Sequence, residues 1–223
     1  MDLTIRQARS VLKGLGPEFG ELGPVLHRRM GSSMYDTHVV GGLLKELGNA
    51  RESMAAFAVL QCLQQQSLEM DVYLASAAIN ACRQGSAWHQ ALQVLLGMAD
   101  SHVERDTVTF NAVVSSCEKG WEWVHALHLF HELADSRVAR STITYQTAVS
   151  ACGRGRQWMQ TLQLVAMMAK CSVERDAITY NGAVSSCEEG KQGVQVLEFF
   201  REMVDGCVKT NTMTYGRHRF REG

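Results

Sequence analysis

Apolar residues recur along the chain in two alternating helical stripes. Near the middle of the chain, the first stripe consists of Phe110, Val113, Val114 and Cys117. The second stripe consists of Ala126, Leu127, Phe130 and Leu133. Each set has the three- and four-residue steps that place side chains on one face of an α-helix. The pattern therefore predicts two amphipathic helices that are joined by a short turn.

This pair of stripes returns every 35 residues. The segments that start at Thr107, Thr142 and Ala177 read TVTFNAVVSSCEKG, TITYQTAVSACGRG and AITYNGAVSSCEEG. Complete repeats are predicted at 37–71, 72–106, 107–141, 142–176 and 177–211. Residues 1–36 are predicted to be an irregular segment or a degraded repeat, and residues 212–223 the start of a truncated sixth repeat. Such a period predicts an all-α solenoid of tandem helix-turn-helix repeats, in which each repeat packs on its neighbours.

Three recurring residue types mark the ends of the helices. A glycine ends each first helix at 85, 120, 155 and 190, where we expect the left-handed backbone of a helix C-terminus. Trp88, Trp123 and Trp158 open the second helices and are expected to be packing anchors. The last residue of each repeat is Asp, Ser or Asn, and these are preferred N-caps for the helix that follows.

Composition changes this picture little. The chain of 223 residues has a net charge of −1, so charge alone does not indicate a nucleic-acid partner. Its seven cysteines include no CxxC pair and mostly occupy one position of the first stripe, which predicts buried thiols in a reducing compartment. No run of about 18 apolar residues occurs, so no membrane partner is expected.

A second face of the first helix carries an unusual set of side chains. With Phe110 facing the core, Val108, Asn111 and Ser115 lie on another side of the helix. A solvated face normally favours Lys, Glu and Arg, whereas this one combines an aliphatic residue with small amide and hydroxyl groups. Such a combination suits a flat base, which packs on the aliphatic group and bonds to the amide. The alternative is that neighbouring helices approach closely here and leave room only for short side chains.

The repeats resemble the pentatricopeptide repeat (PPR) family over residues 37–211. The resemblance rests on the period of 35, the T-[YF]-N opening of the first helix, the stretch Ala126–Phe130 and the acidic last residue. Segments such as SSCEKG at 115–120 and RQW at 156–158 look like the algal and dinoflagellate branch of that family. The resemblance implies a right-handed superhelix that binds single-stranded RNA without catalysis. It also implies a role in organellar RNA processing, stability, editing or translation, in a plastid or mitochondrion.

In PPR proteins, each repeat reads one base through its fifth and its last residue. The resemblance thus implies the pairs Gly41 with Asp71, Ser76 with Asp106, Asn111 with Ser141, Gln146 with Asp176, and Asn181 with Asn211. Ser with Asp favours a purine, Asn with Ser or Asn favours a pyrimidine, and the other two pairs leave the base open. The second residue of each repeat sandwiches the bases, and these residues are His38, Tyr73, Val108, Ile143 and Ile178. Lys119 and Arg154 occupy the phosphate-binding position.

Other chemistry finds weaker support in the sequence. The histidines at 125, 128 and 131 share helical spacing, but they lie opposite the apolar stripe and are expected on a solvated face. Arg105, Arg140 and Arg175, which precede the last residue of their repeats, are likewise expected to be solvated. No catalytic motif, cofactor site or small-molecule substrate site is identified. The alternative function is a protein-interaction scaffold with a peptide in its groove, which the near-neutral charge favours.

Overall fold

The structure is a computed structural model that describes residues 36–65, 70–135 and 140–205. This part of the chain is helical, with no strand, and it forms helices of 13 residues in pairs. The helices are α1 (Thr37–Asn49), α2 (Ser53–Gln65), α3 (Val72–Gln84), α4 (Trp88–Asp100), α5 (Thr107–Lys119), α6 (Trp123–Asp135), α7 (Thr142–Arg154), α8 (Trp158–Lys170), α9 (Ala177–Glu189) and α10 (Gly193–Asp205). None of them is long and apolar enough to cross a membrane. The irregular segment predicted up to residue 35, Asn211 and the sixth repeat predicted at 212–223 lie outside the described residues.

Each first helix starts at the capping residue that ends the preceding repeat. Asp71 accepts a hydrogen bond from the backbone N of Leu74 at 2.7 Å, and Asp36 caps α1 through the backbone N of His38. Ser141 forms a capping box with Thr144 at the start of α7. The remaining caps are Asp106 for α5 and Asp176 for α9. The expected capping role is therefore confirmed for the described repeats.

The described helices fall into two compact units, one with α1 to α5 and one with α6 to α10. In the first unit, α1 packs on α3 and α3 packs on α5, and α2 and α4 contact the same first helices. In the second unit, α7 packs on α9, with α6, α8 and α10 against them. The first-stripe residues are buried in every repeat, from Val40 to Cys187. The predicted all-α fold of tandem helix pairs is confirmed.

The recurring glycines have a different role from the one expected. Gly120, Gly155 and Gly190 have φ values of −80°, −78° and −77°, so they do not adopt the left-handed conformation. That conformation falls on the residue that follows each of them, such as Trp121 and Arg156. The prediction of a left-handed conformation at these glycines was therefore wrong. Glycine is needed there because another side chain approaches its Cα atom closely.

The close approach involves the tryptophans at the start of the second helices. A Cβ atom on Gly120 would overlap the indole of Trp88. In the other unit, Gly155 faces Trp123 in the same way and Gly190 faces Trp158. Each tryptophan therefore packs on the glycine of the next repeat, and any side chain there would displace the ring. This contact confirms the tryptophans as packing anchors between consecutive repeats of a unit.

The recurring cysteines pack inside the helix pairs. Cys82, Cys117, Cys152 and Cys187 are fully buried, as the apolar pattern predicts, whereas Cys171 is exposed. Burial raises the pKa of Cys82 and Cys152 to about 12 and that of Cys187 to about 11. These thiols therefore stay protonated at neutral pH and act as small apolar side chains.

Candidate nucleic-acid interface

The second residue of each repeat is an exposed apolar side chain. It lies in the first turn of a first helix, two residues after the capping residue and away from the buried stripe. Val108, Ile143 and Ile178 are 66%, 61% and 65% exposed, and Tyr73 is 49% exposed. The hydration of exposed aliphatic side chains is unfavourable, so these side chains are available to pack against a flat ligand. The structure places all of the predicted sandwiching residues at the surface, and His38 is exposed as well.

One predicted base-reading pair is joined by a hydrogen bond. In the second unit, Gln146 Nε2 donates to Asp176 Oδ2 at 2.8 Å. Asp176 Oδ1 accepts from the backbone N and the hydroxyl of Thr179, so the same carboxylate caps α9. The fifth and last residues of this repeat thus form one local unit. It leaves the Gln146 carbonyl oxygen and second N–H to meet the edge of a ligand.

The pair in the preceding unit is more open. Ser76 is half-buried and makes no hydrogen bond to Asp106, whose Oδ1 accepts from the backbone N of Thr109 at 2.8 Å and from its hydroxyl at 2.6 Å. The hydroxyl bond of Thr109 is the main cause that lowers the pKa of Asp106, against the opposing effect of burial. Asp106 is therefore a carboxylate at neutral pH.

Two predicted asparagines differ from this pattern. Asn111 is half-buried, and its side-chain oxygen is closed to solvent without a hydrogen-bond partner among the described residues. A buried oxygen that lacks a partner costs stability, so a donor from a ligand or a small rotation would be favourable. Its predicted partner, Ser141, belongs to the other unit, where it caps α7. Asn181 is half-buried, and its predicted partner lies outside the described residues.

The predicted phosphate ligands occupy the ends of first helices. Lys119 is the last residue of α5 and is half-buried, whereas Arg154 is the last residue of α7 and is exposed. The guanidinium carbon of Arg154 lies 4.9 Å from the ring centroid of Trp121, which is itself exposed. Stacking on the indole orients the guanidinium.

The arginines that precede the capping residues are only partly solvated, whereas the sequence predicted solvated side chains. Arg105, Arg140 and Arg175 are half-buried. Their guanidinium carbons lie 5.6, 5.7 and 5.6 Å from the ring centroids of Phe110, Tyr145 and Tyr180, respectively. Arg175 also forms an ion pair of 2.8 Å with Glu202. These arginines cover the aromatic residue of the first stripe, so their role is packing.

Sequence reasoning missed a pocket between α1 and α3 in the first unit. Its volume is about 350 Å³, and Lys45 and Arg83 line it together with Gly41 and Tyr73. A signal existed in the sequence. The ninth residue is serine in the last three repeats, at 115, 150 and 185, whereas the first two repeats have Lys45 and Asn80 there. Nothing in the repeat pattern indicated that this departure lies at a cavity.

The histidines on α6 behave as the pattern suggested. His125, His128 and His131 are exposed, and His125 Nδ1 lies 3.5 Å from a carboxylate oxygen of Glu122. No group of three potential ligands that could hold a metal ion occurs in the part of the chain that the structure describes.

Comparison with known proteins agrees with the repeat pattern. The family model described as PPR repeat matches residues 108–138. No curated protein matches the chain. The PPR domain of Arabidopsis thaliana protein-only RNase P 1, solved in complex with tRNA, has a TM-score of 0.66 and 11% identity, over 78% of this chain and 91% of that one.

Two crystal structures of a second protein, PPR10, are also similar to the structure of this chain. Its complex with an 18-nt psaJ RNA element gives a TM-score of 0.66 at 20% identity, over 94% of this chain and 30% of that one. PPR10 from maize gives 0.58 at 19% identity, over 96% and 36%. The chain thus spans about a third of PPR10. The chain thus matches the PPR repeat over residues 108–138, and its described helix pairs share the fold of these solved PPR structures.

Proposed function

We propose that the protein binds single-stranded RNA with sequence selectivity, one base for each repeat, through the first helices of its repeats. Solved PPR structures that contain RNA share the fold of this chain. The proposal extends this likeness from the fold to the ligand. It rests on the chemistry of the side chains that the first helices expose.

The row of exposed aliphatic residues carries the proposal. Val108, Ile143 and Ile178 recur at 35-residue intervals in the first turn of their helices, and each is more than half exposed. Exposed apolar groups that recur at the same position of successive repeats indicate a contact surface. The face of a base is flat, apolar on both sides and repeated at every nucleotide, so it matches such a row.

The fifth and last residues supply the selectivity in this proposal. Asp176 holds the Gln146 amide by one N–H, so the remaining donor and acceptor of that amide are fixed in direction. An amide with a fixed donor and acceptor distinguishes base edges better than a rotating one, because a wrong base leaves a polar group unpaired. The same role is proposed for Ser76 with Asp106, Asn111 with Ser141, and Asn181 with Asn211.

The proposed activity is binding without catalysis. In the last three repeats, the side chains at the second position are aliphatic and those at the fifth position are amides. The last-position residues that the structure describes are engaged as helix caps. Lys119 and Arg154 contact phosphates in this proposal, and with so few cations the salt dependence of binding should be shallow. Action on plastid or mitochondrial transcripts is the cellular role that the family resemblance suggests.

Selection from randomised single-stranded RNA tests the proposal. We expect a short motif to be enriched, with pyrimidines opposite the repeats of Asn111 and Asn181. The double variant Ile143→Asp, Ile178→Asp should lower the affinity for that motif by about a hundredfold, because it removes two packing surfaces and adds like charges near phosphates.

A matched control is available on the second helices. Val124 and Met159 are each 54% exposed and also recur at a 35-residue interval, but they lie outside the row. Val124→Asp, Met159→Asp should leave RNA affinity within about twofold of the unaltered protein. Equal losses in both double variants, or no enriched motif, would refute the proposal. Peptide binding that depends on Ile143 and Ile178 would instead establish the scaffold alternative.

A further inference from the structure

A second cavity of the first unit lies between two second helices, α2 and α4. Its volume is about 130 Å³, and the apolar part of its lining consists of the buried Leu60 and Val94 and the half-buried Phe57. An apolar cavity of about 150 Å³ is large enough to hold benzene, so a space of this size accepts one apolar side chain. None of the described residues that line the cavity belongs to a first helix. The cavity is therefore separate from the proposed RNA-contacting residues.

A glycine within α4 keeps this cavity open. The corresponding residues of the other repeats all have side chains, and they are Cys62, Glu132, Met167 and Glu202. Met167 of α8, in the second unit, packs against the buried core. Gly97 lowers the stability of α4, because glycine is unfavourable within a helix.

The packing around Gly97 does not require a glycine. Among the described residues, a Cβ atom on Gly97 would meet the methyl group of Met70 at 3.4 Å and Gln64 Nε2 at 3.8 Å, which are ordinary contacts. Gly120 differs, because a Cβ atom there would overlap an indole. The effect of Gly97 is thus to leave space beside the helix backbone, where a ligand can approach closely.

The rim of the cavity consists of glutamine side chains. Gln61 and Gln64 lie one turn apart on α2, Gln93 lies on α4, and all three are exposed. Each amide has one acceptor and two donors, so the rim can bond to both kinds of main-chain group. Leu96, one helical turn from Gln93, is 61% exposed and adds apolar surface beside the rim. None of the described lining residues is charged.

We propose that this cavity binds one aliphatic side chain of an extended segment in a partner protein, and that the glutamine amides bond to the main chain of that segment. An apolar pocket with an uncharged polar rim is the usual arrangement at the centre of a protein interface. An extended segment fits better than a helix, since a helix uses its main-chain groups internally. A neutral lining offers no cation to the phosphates of RNA. The site does not rest on the proposed function, because the two ligands would contact different helices.

Selection from phage-displayed randomised short peptides, followed by fluorescence anisotropy with a selected peptide, tests the site. We expect enrichment of peptides that have one aliphatic residue among uncharged ones. Gly97→Met, which introduces the residue of the fourth repeat, should fill the cavity and lower the affinity by about tenfold or more. Replacing the aliphatic residue of the peptide by alanine should cause a similar loss, and the two changes together should cost little more than either alone.

The rim and the glycine each have a matched control. Gln64→Ala and Gln93→Ala should each lower peptide affinity by about threefold or more, because a main-chain hydrogen bond is lost. Gln163→Ala removes the exposed glutamine of α8 that corresponds to Gln93, and it should change the affinity by less than about twofold. Gly97→Ala should keep more affinity than Gly97→Met, since a single methyl group leaves part of the cavity open. Circular dichroism checks folding, and if Gly97→Met is unfolded, the glutamine and peptide variants decide.

Competition with the selected RNA separates this site from the proposed function. RNA should neither displace the peptide nor lose affinity in a folded Gly97→Met variant. Displacement by RNA would assign the cavity to the RNA site and overturn the proposal. It would also be overturned if no peptide is enriched, or if peptide binding depends on Ile143 and Ile178 but not on Gly97. Peptide binding that depends on Gly97, without any RNA binding, would keep this site and reject the RNA function.

Discussion

The slot between α1 and α3 and the slot between α7 and α9 are formed by the same positions of the repeat but carry different chemistry. At the fifth position the first slot has Gly41, where the other has Gln146. At the second position of the following repeat, Tyr73 stands where the other slot has Ile178. In the first slot the aromatic ring covers the glycine, and in the other the amide reaches the capping carboxylate. The last residue is aspartate in both, and in both it caps the next helix.

This comparison shows that the repeat determines where each residue lies on its helix, but not which side chains that residue contacts. Gly41 has no side chain to meet Asp71, so the space is taken by the largest neighbouring group, and a stacking surface replaces an amide. Gln146 is long enough to reach Asp176, and a hydrogen bond joins the two side chains. The first slot should therefore select a ligand by stacking and charge, and the second by the edge of a base.

The largest effect is expected when the first slot is converted into the second. Gly41→Gln, Tyr73→Ile should let the new amide reach Asp71, as Gln146 reaches Asp176. The base preference opposite the first repeat should become that of the fourth repeat. Selection from randomised RNA measures this change. An unchanged base preference would show that fifth-position residues do not read bases in this protein.

A somewhat smaller effect is expected from Gln146→Ala in the second slot. The variant removes the amide but keeps both aliphatic neighbours, so RNA should still bind, with about three- to tenfold lower affinity and without preference at one position. Gln163→Ala removes an exposed glutamine from α8 and serves as the control, with no change expected. Affinity measurements on four RNAs that differ at a single base decide between these outcomes. A uniform loss for all four bases would contradict a reading role for Gln146.

The sequence predicted the framework of both slots because that framework depends on local rules. The stripes from Phe110 to Cys117 and the caps at Asp106 and Ser141 follow from helix periodicity and from the donors that a helix N-terminus leaves unpaired. These features recur from repeat to repeat, so each repeat supports the interpretation of the others. The same reasoning identified the second-position residues, whose exposure depends only on their place in the first turn.

Contacts between repeats could not be predicted in this way. The helix-end pattern predicts a left-handed backbone at Gly155. The glycine is instead needed because of the indole of Trp123, which belongs to the preceding repeat. The sequence pattern assigns Tyr180 to the core but does not indicate that Arg175 stacks on its ring. It therefore predicts a solvated arginine. The position of Tyr73 over Gly41 likewise depends on how two helices dock. Spacing in the sequence does not fix that distance.

A moderate effect on stability is expected from the capping aspartates. Asp71→Ala and Asp176→Ala each remove an N-cap and should lower the free energy of unfolding by about 1 kcal/mol. The loss should be larger for Asp176, which also binds Gln146. Asp176→Ser should restore most of the stability, since serine caps α7 at this position, but not the preference of the slot. Urea titration monitored by circular dichroism measures the order, and equal losses for both alanine variants would contradict the additional contact.

The smallest effect concerns Asp106, whose fifth-position partner Ser76 does not reach it. The hydroxyl of Thr109 is the main cause of its lowered pKa, so Thr109→Val should raise that pKa toward the ordinary value. Because the folded-state pKa is lowered, the stabilisation is present above the unfolded pKa of about 3.9 and is lost as pH falls through the folded pKa. Thr109→Val should therefore weaken stability at neutral pH and reduce its decrease in acid. Carboxylate NMR titration checks the shift, with Thr147→Val as the control because that hydroxyl bonds only to the carbonyl of Ile143. An unchanged titration in Thr109→Val would mean that the backbone N–H groups of the cap alone hold the carboxylate in its charged form.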